Sequence, residues 1–366
     1  MAGRPLTILE ITHAGHNAGS TFLIHSLCAP LVARGHRVLV GCRSDSVLAA
    51  RTQASGLAVV PLDFRRLGPL AETLAELIAS ERIDLINSHD TRDRRALTWL
   101  RWRRRLQQAF VVTRHTMPLT SPAELLAIGL SADRTIAVSG AVARGLRRRW
   151  YVGDRLRVVP NGIDFSRVDA PPQPAAMAAA AAALGDTGGR PVITVLARRK
   201  DQHVLLEALH AVDHPVVVAC VGIEPDDQLR ELGARVPCRH RVVYVPFTDC
   251  PMAFYRLGAI AALPSRIEGL SLALLEGMAL GLPVVASRAG GNPDLIQSGE
   301  RGGLLVPPLD PRAWATAIEQ MLADPAFAKR VGSAGREFVR REHSLERMVD
   351  RTEGVYREAI RRRRPA

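Results

Sequence analysis

Aromatic residues are scarce in this 366-residue chain: Phe, Trp and Tyr together make up 4% of it, while 47% is hydrophobic. Ala and Gly fill the gap. That balance disfavours an antiparallel sandwich and suits helices packed on parallel sheets. Cysteine is limited to Cys28, Cys42, Cys220, Cys238 and Cys250, an odd number with no C-x-x-C pair. This excludes a disulfide framework and a thiolate zinc site, and the five read as reduced thiols of a cytoplasmic protein. No Asp-x-Asp occurs and no His/Cys cluster has ligand spacing, so no metal and no other cofactor is expected. No unbroken apolar run approaches the roughly 20 residues of a membrane span. The alanine-rich run 175–183 is too short and too weakly apolar to serve. The opening MAGRPLTILEITHAGH lacks the long apolar core and cleavage site of a signal peptide and reads as leading into a strand.

Lysine is also nearly missing. The 49 basic residues are almost all Arg and face 36 acidic ones, a formal net charge of +13. Such an excess calls for an anionic partner: phosphates on a small ligand, a nucleic acid or an anionic membrane surface.

What is present is a rhythm. Apolar runs at 6–11, 38–41, 83–87, 110–113 and 135–138 alternate with helical patterns, as in the βαβ units of a parallel sheet. A helix after the first run should end near Arg34, with Gly35 as its cap. The rhythm breaks after Pro160-Asn161-Gly162 and passes a segment rich in Pro, Ala and Gly. It resumes at 192–196, 216–221, 242–245, 260–263 and 283–286. The expected organisation is an α/β chain of two Rossmann-like domains, 1–165 and 166–345. A helical segment 346–366 is expected to return to the first domain.

In open α/β sheets, ligands bind beyond the carboxyl ends of the strands, so the loops there are informative. Glu268 lies in a loop and Glu276 eight residues later, inside a helix expected to start near Gly269–Ser271. A helix start offers unpaired N–H groups and partial positive charge, which suit a phosphate. In isolation, the two glutamates are as readily a cap and a solvated side chain. Arg198, Arg199 and Lys200 follow a strand and could clamp a diphosphate. His115 follows another strand, and Asn87-Ser88-His89-Asp90 follows a third. Asn161-Gly162 is a turn signal.

The stretch PSRIEGLSLALLEGMALGLPVVASRAGGNPDLI resembles, nearly position for position, the donor-binding signature of retaining glycosyltransferase family 4, the group 1 glycosyltransferases. The resemblance covers most of residues 6–360 and is looser in the first half. It implies a GT-B fold, two facing Rossmann-like domains with a cleft between them. It also implies a nucleotide-sugar donor without a metal, and transfer that retains anomeric configuration. Glu268 would meet the donor sugar, Glu276 the nucleotide ribose, and His115 the sugar from the other domain. Lys200 with Arg198 or Arg199 would hold the diphosphate. Gly269, Leu270 and Ser271 at the helix start, and Gly19, Ser139 and Asn161 in the first half, would complete the donor site. The nucleobase would sit near Val221-Gly222 and the 244–247 loop. His16, Asn17 and His89 are candidates for acceptor contact.

The chain departs from the family in three places. Asp294 stands where Glu is usual, Ala18 replaces the first glycine of a Gly-Gly pair, and the basic loop is shortened and lacks both its glycines. Expected acceptors are a glycan, a lipid-linked sugar or a lipopolysaccharide-type chain. The clusters Arg101-Trp102-Arg103-Arg104-Arg105 and Arg147-Arg148-Arg149-Trp150 suggest a surface resting on anionic headgroups at the inner face of the cytoplasmic membrane. No nucleic-acid-binding motif accompanies them. A nucleotide-sugar epimerase of the same fold and a non-catalytic sugar-nucleotide binder are the competing readings.

Overall fold

A computed structural model describes residues 4–15, 18–117, 121–149, 151 and 153–363. The chain divides into two compact units, one formed by Met1–Gly162 with Leu345–Ala366 and the other by Ile163–Ser344.

Unit 1 holds β1 (Thr7–Ile11), β2 (Arg37–Cys42), β3 (Ala58–Pro61), β4 (Leu85–Ser88), β5 (Ala109–Arg114), β6 (Arg134–Ala137) and β7 (Leu156–Val158). They pair in the order β3-β2-β1-β4-β5-β6-β7, every pair parallel. Unit 2 holds β8 (Val192–Leu196), β9 (Val217–Val221), β10 (Arg241–Val245), β11 (Ile260–Leu263), β12 (Val284–Ser287) and β13 (Gly303–Val306). Their order, β10-β9-β8-β11-β12-β13, repeats that of unit 1, again all parallel. Helices cover both faces of such sheets, so the central strands are apolar on both sides: every residue of β4, β5, β9, β11 and β12 is buried. Three strands, β3, β7 and β13, were not expected from sequence. Each ends a sheet and, unlike those central strands, is not buried throughout.

The strand order reverses between β1 and β4 in unit 1 and between β8 and β11 in unit 2. Loops leaving neighbouring strands there diverge to opposite faces and leave a crevice at the carboxyl ends.

The helix Leu345–Arg363 belongs to unit 1. It buries Met348, Val349, Thr352, Val355, Tyr356 and Ala359, a helical stripe laid on β5, β6 and the helix Gly19–Ala33. Tyr356 carries its hydroxyl into the sheet. It donates to Glu10 Oε1 at 2.5 Å and accepts from Asn87 Nδ2 at 2.7 Å. Replacing Tyr356 with Phe leaves a buried carboxylate one donor short. We expect Tyr356→Phe to cost about 1–3 kcal/mol in urea unfolding, and Arg361→Ala, on the exposed side of the helix, less than about 0.5 kcal/mol.

Candidate active-site residues at the two strand-order reversals

At the unit 1 reversal, Glu10 on β1 stands beside Asn87 on β4 and has no exposure. A sealed carboxylate must be fully hydrogen-bonded, and here its partners are Tyr356, Asn87 and His89. Asn87 Nδ2 donates to Glu10 Oε2 at 2.9 Å, and Thr113 Oγ1 donates to Asn87 Oδ1 at 2.9 Å. His89 Nε2 lies 2.7 Å from Glu10 Oε2, and His89 Nδ1 lies 2.9 Å from His115 Nε2. The two imidazoles stack at 5.1 Å. An ionised carboxylate only accepts, so His89 donates from Nε2. In neutral His89, Nδ1 then accepts from His115 Nε2–H. In that arrangement His115 carries its lone pair on Nδ1, an atom without a partner among the described residues. Burial first, then His89 and Arg114, hold the His115 pKa well below its ordinary value.

His115 and His89 both line a cavity of about 390 Å³ whose wall includes Thr12, Ser20, Arg94 and Arg114. His16 and Asn17 lie outside the described residues. Gly19 opens the helix Gly19–Ala33, with Ala18 as its cap at φ −139° and ψ 152°. That backbone is open to any residue, so alanine in place of the family's first glycine introduces no strain. Ser139 is buried and its Oγ accepts from Val142 N at 3.1 Å, capping the next helix. Asn161 is buried at the end of unit 1's first segment.

At the unit 2 reversal three loops interlock. Lys200 Nζ pairs with Glu268 Oε1 at 2.9 Å, joining the loop after β8 to the loop after β11. Asp201 ties the same loops: its N–H donates to Pro264 O at 3.0 Å. Its carboxylate accepts from the Arg266 backbone N–H at 2.8 Å and from the Arg266 guanidinium at 3.0 Å. The basic loop has lost its glycines, and the buried Gln202 amide holds it instead. Gln202 donates to Arg198 O at 2.7 Å and accepts from Lys200 N at 2.7 Å. Arg199 turns to Asp226 at 2.7 Å and Gln228 at 2.6 Å. Arg198 is left as the arginine whose side chain has no protein partner among the described residues.

The third loop is the turn at Gly290-Gly291. A Cβ on Gly290 would lie 1.9 Å from Glu268 O, and one on Gly291 2.1 Å from Gly269 O. Gly290 also has φ +51°. Only glycines let this turn lie against the backbone that carries Glu268. The helix after Glu268 is Leu272–Ala279, one residue later than expected, and Ser271 caps it through Leu274 N at 3.3 Å. Leu270 is buried beside it. Glu276 sits inside this helix, buried and bonded to Arg167. Burial raises its pKa and Arg167 opposes that rise. Gly222, where the nucleobase is expected, has φ +91° and donates to Val245 O at 2.9 Å.

Glu10, Arg94, Arg114, Arg167, Asp201 and Gln202 did not stand out in the sequence. Asp201 and Gln202 directly follow the basic loop, and that adjacency was the available signal. The others meet their partners only through the fold. No group of three His, Cys, Asp or Glu among the described residues is placed to hold a metal ion.

The first basic cluster is not an open cationic stripe. Arg101 pairs with Asp133 at 3.0 Å, Arg105 with Glu72 at 2.6 Å, and Arg103 lies over the Trp99 ring. Trp102 remains 64% exposed. Trp150, in the second cluster, lies outside the described residues. No helix among the described residues is long and apolar enough to cross a membrane.

Two outcomes test this geometry. Gly290→Ala should displace Glu268 by about 1 Å and lower turnover about 10²-fold, and should also cost about 1–3 kcal/mol of substrate-free stability because its Cβ meets backbone at a positive φ, read by steady-state kinetics and thermal unfolding. For His115, the unfolded chain takes up a proton near pH 6.5 that the folded chain refuses. Its contribution is therefore complete above that pH and lost as pH falls toward the depressed folded value. Wild-type stability should fall there more steeply than that of His115→Gln, by up to about 1.4 kcal/mol per pH unit.

The family described as Glycosyl transferases group 1 matches residues 190–324, and Glycosyltransferase Family 4 matches residues 18–167. A GDP-mannose-dependent alpha-(1-6)-phosphatidylinositol monomannoside mannosyltransferase of Mycolicibacterium smegmatis is 32% identical over 228 residues, 58% of each chain. A D-inositol 3-phosphate glycosyltransferase of Streptomyces bingchenggensis is 30% identical over 251 residues, 63% of this chain and 54% of that protein. The matches thus span just over half the length of these relatives. The crystal structure of Anabaena HepE in complex with UDP superposes with TM-score 0.82 at 20% identity, over 95% of this chain and 99% of that one. With two Rossmann-like sheets of like order, and with both of its halves matched by the family's two domains, the chain belongs to the group 1, family 4 glycosyltransferases of GT-B fold.

Proposed function

We propose that the protein is a retaining glycosyltransferase that moves a sugar from a nucleotide-sugar to a glycan, lipid-linked or lipopolysaccharide-type acceptor. The observation that carries this reading is the Lys200–Glu268 pair at the strand-order reversal of unit 2. An ammonium there answers the charge that develops on a departing diphosphate, and the helix start at Leu272 adds its N–H groups. Glu268 orients sugar hydroxyls, and Glu276, once Arg167 swings aside, accepts from the ribose. Attack comes on the face the diphosphate leaves, with the leaving phosphate taking the acceptor's proton. Glu268 then needs no covalent bond to the sugar. His115, neutral and with an open Nδ1, accepts a hydrogen bond from a sugar hydroxyl. The relatives named for GDP-mannose and the HepE complex with UDP support a nucleotide-sugar donor without choosing the base. In this reading Lys200 and Arg198 supply the positive charge, and a chelator leaves turnover unchanged. The chain would act in the cytoplasm, with the exposed Trp102 region toward an anionic inner membrane face.

A panel of UDP-, GDP- and ADP-sugars, scored by nucleoside diphosphate release with and without acceptor, tests the class. Glu268→Ala and Lys200→Ala should each lower transfer about 10²–10³-fold while leaving thermal unfolding near wild type. Unchanged transfer in both would remove these residues from the site. NMR of the product reads the anomeric centre, and inversion there refutes the mechanism. Conversion of the sugar nucleotide to an epimer without acceptor would instead favour an epimerase.

A further inference from the structure

The unit 1 cavity carries charge that the donor chemistry does not use. Arg94 projects from the first turns of the helix Thr91–Trp102, and Arg114 ends β5. They are 3% and 6% exposed, and both line the cavity with His115. Burying a guanidinium costs several kcal/mol unless something negative neutralises it. Among the described residues the Arg94 guanidinium makes one hydrogen bond, to Thr91 Oγ1 at 3.2 Å, and its Nε is buried without a partner.

The nearby carboxylates Glu124 and Asp90 act on these guanidiniums through space, but each has closer bonded partners. Glu124 is held by Arg95 through two bonds of 3.0 and 2.9 Å. Asp93 is sealed and accepts from Ser88 Oγ at 2.6 Å and from the His89 and Asp90 backbone N–H groups. Asp90, also on the cavity wall, accepts from Thr91 N at 2.6 Å and lies 3.6 Å from His13 Nδ1. The helix Gly19–Ala33 starts at the same wall, beside Ser20. Its capping residue is Ala18, whose methyl group can accept nothing from the first N–H groups. Burial, and after it the neighbouring Arg94, pulls the Arg114 guanidinium down to about 10. A cavity of about 390 Å³ falls in the range of small-molecule sites.

We propose that this cavity binds a phosphoryl group carried by the acceptor, with Arg94 and Arg114 as its guanidinium forks and the helix start at Gly19 as a third donor. Guanidinium forks match phosphate oxygens in pairs. The inference rests on the glycosyltransferase reading for calling the ligand an acceptor, while the anion site itself stands on unit 1 alone. The phosphoryl group belongs either to a soluble sugar phosphate or to a lipid-linked one.

Inorganic phosphate titrated calorimetrically into the full chain at low salt should bind at one saturable site. Arg94→Gln should weaken that binding at least tenfold. Arg94→Lys, which keeps the charge but not the fork, should fall between, and it carries the test if Arg94→Gln does not fold. Lys200→Ala should still bind phosphate, and UDP or GDP should not displace it. Phosphate binding that disappears in Lys200→Ala, survives Arg94→Gln, or is displaced by the nucleotides would assign the anion to the donor and overturn the proposal. In transfer assays, soluble hexose phosphates and vesicles bearing a polyprenyl-phosphate sugar are offered beside the neutral hexose. Preference for either phosphorylated acceptor, with KM raised at least tenfold in Arg94→Gln, supports the proposal and identifies the source. Equal use of the neutral sugar by wild type and Arg94→Gln refutes it, leaving the glycosyltransferase reading intact. Phosphate binding without turnover of any nucleotide-sugar would refute that reading and leave the anion site standing.

Discussion

A carboxylate with no exposure in the middle of a parallel sheet constrains everything around it. Glu10 cannot be left unpaired in that setting. Its partners come from two separate parts of the chain: the end of β4 and the residue after it, through Asn87 and His89, and the final helix, through Tyr356. The arrangement therefore needs the C-terminal helix in place on unit 1. It also sets chemistry at a distance. With His89 neutral and donating to Glu10 from Nε2, the facing nitrogens of His89 and His115 have settled roles. His115 then presents a lone pair rather than a proton at Nδ1. An apolar residue at position 10 would pack as well, but it would leave His89 free to turn over and the tautomer of His115 undefined.

Unit 2 solves the same positioning problem with backbone contacts. The loop bearing Glu268 is held by the glycine turn at Gly290-Gly291 and by Asp201, while Gln202 holds the neighbouring basic loop. Such contacts are local to a few loops and tied to glycine spacing. That explains why this half was legible: the order of Glu268, Glu276, the strand β12 and the glycine pair is itself a linear record of the geometry. Unit 1 leaves no such record. Asn87 and Tyr356 lie 77 and 346 residues from Glu10; the run Asn87-Ser88-His89-Asp90 stands out, but nothing in it names Glu10 or Tyr356 as its partners. The alternation of strands and helices was visible throughout because buried parallel strands are apolar on both faces. The edge strands β3, β7 and β13 were not, since they are not buried throughout and the two-faced apolar demand that marks the central strands falls on them only in part.

Charge is where composition alone was least informative. A net charge of +13 pointed to an anionic partner, yet much of the arginine is used within the protein. Arg134 and Arg157 share Glu358, Arg34 meets both Asp350 and Glu353, and Arg105 holds Glu72. Exposed pairs of this kind add little to stability. They do show that a run of arginines in sequence need not be a run of available cations in space. The informative arginine is one withdrawn from both water and carboxylate.

The two reversals of strand order make the comparison sharp, because the same sheet topology presents different chemistry in each unit. In unit 2 the cation at the crevice, Lys200, is balanced by Glu268 when no ligand is bound. A ligand there must separate an existing pair, so binding exchanges one ionic contact for others and responds to how well both ends are matched. In unit 1 the deepest cation, Arg94, hydrogen-bonds only a neutral hydroxyl among the described residues and feels Glu124 through space, so a ligand separates no bonded ion pair among them to reach it. Two sites with opposite starting charge balance would respond differently to salt: screening weakens the competing protein pair in unit 2 as well as the ligand contacts, whereas in unit 1 it weakens the ligand contacts alone. The salt dependence of ligand affinity should therefore be steeper for the unit 1 cavity than for the unit 2 crevice.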